Sequence, residues 1–460
     1  VAGPGGTVCW SSSATSGSGA RDVSAQELTI TTSDFDASAT PDEAITGATD
    51  VETDVEADAP PALPLLEPAD GVPPIMTAPD ALERFCAAVA AGTGPVALDA
   101  ERASGFRYSQ RAYLIQVRRR GAGTALIDPI ALPDLSALNN AIGDAEWILH
   151  AATQDLACLA EVGLRPRALF DTELAGRLLG RERVSLAALV ASELGWGLEK
   201  GHGATDWSVR PLSQAQLRYA ALDVEVLVEL REALAMDLGR QRKDVIAQQE
   251  FASLLEFAPR DRGEEAWRRL SGIHRLRKPR NLAIARELWL ERDRIAQQRD
   301  IAVGRLLPDS SIVAAAASAP TSLDALLAMK DFHGRGADRY RSQWWAAVTR
   351  AGAMDAADWP VAAPPPLGPP APRTWVDRNP VAFAALEAAR AGLSVCAERL
   401  SMPVENLMSP DTVRRLCWEP PQPADAAHVR AFLESSGARP WQIEATYALL
   451  VDALATEPSD

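Results

Sequence analysis
The chain has 460 residues, 47% hydrophobic and 23% charged, a globular composition that excludes a wholly disordered chain and suggests about three domains. No apolar run reaches about 18 residues and the N-terminus lacks a basic and apolar leader pattern, so no membrane span or secretory signal is expected. Five cysteines without CxxC spacing argue against zinc ribbons and a disulfide scaffold and suit a reducing cytoplasm, while a formal net charge of −16, taken whole, speaks against a polyanionic partner.

Residues 1–60 hold 11 acidic side chains and one basic one, with few large apolar groups, which predicts a disordered acidic tail. A Pro-rich stretch, 60–75, ends it. Over 61–250 the pattern is α/β. Pro95–Glu101 alternates like a strand, and Tyr113–Val117 and Thr124–Asp128 read as two more, joined through the turn glycines Gly121 and Gly123. Then follow a helix (Leu135–Ile142), a strand (Glu146–Leu149), a helix (Thr153–Val162) and two short helices (Leu174–Leu179, Ser185–Leu194). One long helix is predicted from Ser213 to about Leu234, opened by a capping box of Ser213 and Gln216.

No strand is expected after about residue 260. Helices are predicted over Trp267–Ser271, Arg280–Arg299, Val303–Leu306, Leu323–Met329 and Gly336–Thr349, making a helical domain of 259–350. A Pro-rich linker, 351–374, leads to a second all-helical block, 375–460. Arg294–Asp309 and Cys396–Asp411 look alike: a helix, a short apolar connector, then a helix that stops at Pro-Asp. An internal duplication is the expectation. By region the charge is −10 for 1–60, +7 for 259–350 and −6 for 351–460. The basic side chains thus concentrate in one helical block.

The chemistry sits in the α/β part. Asp99 and Glu101 are two apart on a strand and share a face. Asp155 opens a helix after the strand ending near His150. Tyr219 and Asp223 are i and i+4 on one helix face. Carboxylates gathered this way repel one another unless cations neutralise them, and hard oxygen donors suit Mg²⁺ or Mn²⁺. Two such ions can clamp an in-line displacement at phosphorus. Each piece alone has a bland account, such as a solvated face, a surface pair or a helix-terminal charge. Order and spacing together favour the site.

On these residues the chain resembles the ribonuclease D family of the DEDD exonuclease superfamily, the subtype with tyrosine in its third motif. The matching pieces are Leu98-Asp99-Ala100-Glu101 followed by Tyr113-Leu-Ile-Gln-Val, then Leu149-His150-Ala-Ala-Thr-Gln-Asp155-Leu, then Asp171-Thr172-Glu173. Lys200, Thr205-Asp206-Trp207 and Arg210-Pro211-Leu212 precede the third motif, Tyr219-Ala-Ala-Leu-Asp223. The resemblance covers about residues 75–350. It implies an RNase H-like 3′→5′ exonuclease domain in which Asp99, Glu101, Asp155 and Asp223 hold two divalent ions (Mg²⁺ or Mn²⁺). Tyr219 would aim the attacking water rather than act as base, since a free phenol titrates near ~10. The resemblance also gives Glu101 a contact to the terminal ribose hydroxyl.

His150 is read as structural and Asp171 as a helix cap. Arg107, Tyr108 and Arg111 are read as a solvated loop, with phosphate contact as the alternative. Block 259–350 resembles the HRDC domain, a helical nucleic-acid-binding module, and 375–460 is read as a degenerate second copy packed against the nuclease. Arg268, Arg269, Arg275, Arg277, Lys278 and Arg280 form a stretch without acidic residues, a candidate phosphate-binding patch. Its bland account is a helix face paired with Glu287, Glu291 and Asp293. The expected partner is the single-stranded 3′ end of RNA, such as a tRNA precursor. The alternatives are a DNA exonuclease and a catalytically idle nucleic-acid-binding protein.

Overall fold
The computed structural model describes residues 63–198, 201, 203–259, 263–361 and 368–457. The acidic tail expected over 1–60, Lys200 and residues 362–367 of the linker lie outside the described residues.

The strands are β1 Leu63–Leu65, β2 Ile75–Met76, β3 Thr93–Arg102, β4 Ala112–Arg120, β5 Gly123–Ile127, β6 Trp147–Leu149, β7 Leu169–Asp171 and β8 Trp196–Leu198. The helices of this part are α1 Pro79–Ala91, α2 Ser136–Ala141, α3 Leu156–Glu161, α4 Thr172–Leu178, α5 Leu186–Leu194, α6 Gln214–Glu225, α7 Leu227–Arg240 and α8 Asp244–Leu254. Among the described residues one sheet runs β2-β5-β4-β3-β6-β7, with β3, β4 and β5 antiparallel and the outer pairings parallel, while β1 pairs with β8 apart from it. β3 is central because it is apolar on both faces. Val96, Leu98 and Ala100 join the buried cluster that holds Leu82 and Phe85 of α1 and Leu138 of α2. Ala97, one residue out of phase, joins Val224, Leu227 and Val228. Asp99 and Glu101 therefore emerge on the side of α6.

The single long helix expected from Ser213 is two helices. Val226, at φ −86° and ψ −15°, separates α6 from α7. The break lets α6 lie on β3, β4 and β5 while α7 turns toward β6, α4 and α5. Neither glycine nor proline marks it, and Val226 is fully buried.

The next block has its own core around Trp267, Leu288 and Trp344. It contains α9 Pro279–Arg299, α10 Val303–Leu306 and α11 Asp309–Ser318. The stretch expected as a helix at Trp267–Ser271 is a short 3₁₀ turn, Ala266–Arg269, and that expected at Gly336–Thr349 is two helices, Arg335–Arg339 and Arg341–Ala353. Pro-Asp starts a helix rather than stopping one, because a proline near the first helical position gives up an N–H that has no partner there anyway. Both blocks follow one layout. Helices open at Pro279 and Pro380, end on left-handed Asp300 and Ser401, and continue through short helices from Val303 and Val404.

The last block shares the large core of the α/β part: Leu386, Leu393, Trp441 and Leu450 join Phe170, Leu238 and Phe251. Its helix Pro380–Leu400 is long and apolar enough to cross a membrane by length and composition, yet Leu386, Ala389, Leu393 and Cys396 on it are buried in this core.

Candidate active site
α6 is fixed at its start by the capping box: the Ser213 N–H donates to Gln216 Oε1 (3.0 Å) and the Gln216 N–H to Ser213 Oγ (3.2 Å). From there Tyr219 and Asp223 fall on the turns that face β3. Ligand oxygens of Asp99, Glu101 and Asp223 all lie within 4.8 Å of one another. Burial holds all three carboxyls above their ordinary range, and for Glu101 the neighbouring Asp99, Asp223 and Asp155 push the same way. Burial likewise raises the Tyr219 phenol, with Asp223, Glu101 and Asp99 adding to it. Tyr219 hydrogen-bonds to the Asp223 carboxylate. The phenol is thus a neutral donor, not a base. Trp207, fully buried, backs it at 6.3 Å between ring centroids.

Asp155 arrives by a different route. After β6 the chain passes through Ala151, left-handed at φ 57°, and a 3₁₀ turn, Ala152–Gln154, that sets Asp155 at the start of α3. Asp171 holds this turn by accepting from the N–H groups of Ala151 (3.1 Å) and Ala152 (2.8 Å). It also caps α4 by accepting from Glu173 and Leu174. The helix-cap reading of Asp171 is right, and the same carboxylate positions the Asp155 turn. Asp155 stands outside the close trio. Its carboxyl is held well above the ordinary range by burial and by Asp99, against the pull of Arg102, whose Nε is 3.7 Å away. His150 keeps to a structural place: Nδ1 is 2.8 Å from Thr172 Oγ1, and burial lowers its pKa to about 4.

Gln116 was not singled out by sequence. It pairs directly with Asp99 across β3 and β4, is fully buried, and neither its Nε2 nor its Oε1 finds a partner among the described residues. Directly opposed residues on antiparallel strands share a face with Cβ atoms about 5 Å apart. Hard oxygen donors, carboxyls raised by burial and mutual repulsion, and an orphaned amide beside them fit a divalent cation. The signal for Gln116 was a polar residue inside the apolar run Tyr113–Val117. For Arg102 it was a cation directly following Glu101.

The loop after Glu101 is not a solvated loop. The Tyr108 hydroxyl donates to Asp293, and Asp300 accepts from the Ser109 N–H (2.8 Å) and the Tyr113 hydroxyl (3.2 Å) and faces Arg111 at 3.8 Å. Arg305 donates to the Gly105 carbonyl and lies over the Phe106 ring. Arg107 turns inward and donates to Ser208 Oγ (2.8 Å). This loop is the seat of the first helical block.

Of the basic patch, Arg275, Arg277, Lys278 and Arg280 are exposed. Arg268 instead pairs with Glu265, donates to the Val361 carbonyl and lies over the Trp267 ring. Arg269 is exposed as well. The acidic groups once set against the patch are engaged elsewhere: Glu287 and Glu291 with Arg350, Asp293 with Tyr108.

Residues 73–238 match the family model described as 3′-5′ exonuclease, 281–348 the HRDC domain, and 368–454 a model described as 3′ to 5′ exonuclease C-terminal domain. The last block thus matches a different model from the HRDC domain. The chain is 34% identical over 263 residues to the ribonuclease D of Jannaschia sp., covering 55% of this chain and 67% of that one. Four further curated ribonucleases D are matched over 50–61% of their length. A solved protein from Bifidobacterium adolescentis is 37% identical with a TM-score of 0.79, covering 86% of this chain and all of that one. The solved Escherichia coli RNase D, described as an exoribonuclease involved in structured RNA processing, is 26% identical with a TM-score of 0.62, covering 84% and 99%.

Proposed function
The chain belongs to the ribonuclease D family, and from that premise we propose that it is a divalent-metal-dependent exoribonuclease that removes nucleotides from single-stranded 3′ ends. The observation that carries this reading is the convergence of Asp99, Glu101 and Asp223 oxygens within 4.8 Å, with Tyr219 one turn from Asp223. Asp99, Glu101, Asp155 and Asp223 would hold two divalent ions, Mg²⁺ or Mn²⁺. Such ions polarise the scissile phosphate and lower the pKa of the attacking water. Tyr219, neutral because burial and three carboxylates hold its proton on, orients that water by a hydrogen bond. A water oxygen bonds to phosphorus as the bond to the 3′ oxygen of the preceding nucleotide breaks, releasing a nucleoside 5′-monophosphate. Glu101, buried beside Asp99, would accept a hydrogen bond from the terminal ribose hydroxyl, as the family resemblance implies. Structured RNAs, the class printed for the Escherichia coli relative, with tRNA precursors among them, are the proposed substrates, and the exposed Arg275, Arg277, Lys278 and Arg280 supply phosphate contacts.

The test is the full chain with Mn²⁺ or Mg²⁺ on matched RNA and DNA oligonucleotides labelled at the 5′ end. A ladder shortening from the 3′ end of RNA is expected, with activity down about a thousandfold in Asp99→Ala and Asp223→Ala, several kcal/mol of lost transition-state stabilisation. Equal or faster loss of DNA replaces RNA with DNA as the substrate. No shortening, with RNA binding intact, leaves only a nucleic-acid-binding role.

A further inference from the structure
Arg102 is the last residue of β3, and alternation sends its side chain to the face opposite Asp99 and Glu101. The pairing of β3 with β4 slips in register between Glu101 and Arg102, so the strand ends beside the catalytic pair. From that side the guanidinium approaches Asp155, with Nε 3.7 Å from Oδ1, and donates to Gln154 Oε1 at 3.3 Å. Neither contact is a close two-pronged one. Arg102 keeps 26% of its side chain open to solvent, against 6% for Asp155. It opposes the raised carboxyls of Asp99, Glu101 and Asp155 alike. It is therefore the internal counter-ion of the acidic site, loosely held and at its rim.

A guanidinium and a divalent cation repel each other across one carboxylate, so the two compete for Asp155. A displaced Arg102 stays at the mouth of the site, where the substrate brings phosphodiester anions. The planar fork of a guanidinium matches two phosphate oxygens better than it matches a single carboxylate oxygen at 3.7 Å. We propose that Arg102 alternates between two anions: the Asp155 carboxylate while no divalent ion is bound, and a substrate phosphodiester once one is. This rests on the reading of the carboxylates as a metal site. It makes metal loading and substrate binding draw on one side chain, so that an unloaded site keeps one internal counter-charge and a loaded one gains a phosphate ligand.

Arg102→Gln separates the two roles by sign. Mn²⁺ binding to the full chain, followed by electron paramagnetic resonance, is expected to tighten about three- to tenfold, the scale of one partly exposed charge interaction. The KM for single-stranded RNA at saturating Mn²⁺ is expected to rise about five- to tenfold, with kcat changing less. Arg102→Lys, which keeps the charge but not the fork, is expected to hold Mn²⁺ affinity near that of the unaltered protein and to give an intermediate KM. Unchanged or weaker Mn²⁺ binding in Arg102→Gln overturns the proposal, and so does an unchanged KM, while in both cases the metal site itself stands. Absence of Mn²⁺ binding in both the unaltered chain and Arg102→Gln overturns the metal-site reading as well.

Discussion

At the scale of single residues, the site is a set of unfavourable placements. Asp99, Glu101, Asp155 and Asp223 all have carboxyls raised by burial, so the folded protein keeps protons that the unfolded chain releases above about pH 4. Where the folded state binds more protons, stability falls as pH rises. The metal-free protein is therefore expected to lose stability from about pH 4 upward until the raised folded values are passed. Mn²⁺ is expected to restore it near neutrality, seen as a thermal midpoint that rises with Mn²⁺ at pH 7 and hardly at pH 4.5. An equal response at both pH values would count against the carboxylates as the binding groups. Gln116 is a second such placement. A buried amide without a partner costs about 1–3 kcal/mol. Gln116→Met, similar in volume, is thus expected to raise the unfolding free energy of the metal-free chain by about 1 kcal/mol in urea titrations. A lower midpoint would reveal a bound water that satisfies the amide. Asp99 with Glu101, and Tyr219 with Asp223, were legible because strand and helix periodicity gives each pair one face, whereas Asp155 was legible only through motif order and the family resemblance. Gln116 and Arg102 were not, because their importance lies in what stands across the strand or beyond its end.

At the scale of elements, the long periodic segments were legible, as were short β6 and α10, while several short strands were not. β3, β4 and α9 carry enough alternation or helical period to be read directly. β2, β7 and β8 have two or three residues each, too few to show any period. The break at Val226 had no glycine or proline to announce it, and tertiary packing on two different faces imposes it. The seat of the HRDC domain was equally hidden, since it joins the loop after Glu101 to the end of α9. Asp300 is its centre, left-handed at φ 47° and holding Ser109 and Tyr113. Removing a charged acceptor from two hydrogen bonds at a partly exposed seam costs about 1–2 kcal/mol. Asp300→Ala is expected to speed amide hydrogen exchange over residues 104–113 by about tenfold, whereas Asp300→Asn, which tolerates the left-handed backbone and keeps an acceptor, changes it little. No change in Asp300→Ala would mean that Arg305 and the Phe106 ring hold the loop unaided.

At the scale of the whole molecule, the final helical block is a structural part of the nuclease and not an appendage on a linker. A Pro-rich linker precedes it, yet the block packs against the α/β part, as its sequence suggested. Glu250 of α8 is 4% exposed and accepts from Arg439 through both Nε and Nη2 at 2.7 Å and from the Trp441 indole at 2.7 Å. Lys243 donates to Leu178 and Ser401 carbonyls, tying the end of α4 to the end of the helix Pro380–Leu400. Deleting one member of a buried ion pair leaves the other charge without compensation, which costs about 3–5 kcal/mol when both are buried. Arg439 keeps 29% of its side chain exposed, so water can reach it and the cost falls to about 2–3 kcal/mol. Glu250→Ala is accordingly expected to unfold at lower denaturant and to release the C-terminal block more readily on limited proteolysis. Because that block shares its core with α7 and α8, its loss also exposes Phe251 and Leu238, so nuclease activity and global stability are expected to fall together. A variant that sheds the block while the remaining domain keeps its midpoint would show instead that the two cores are separable.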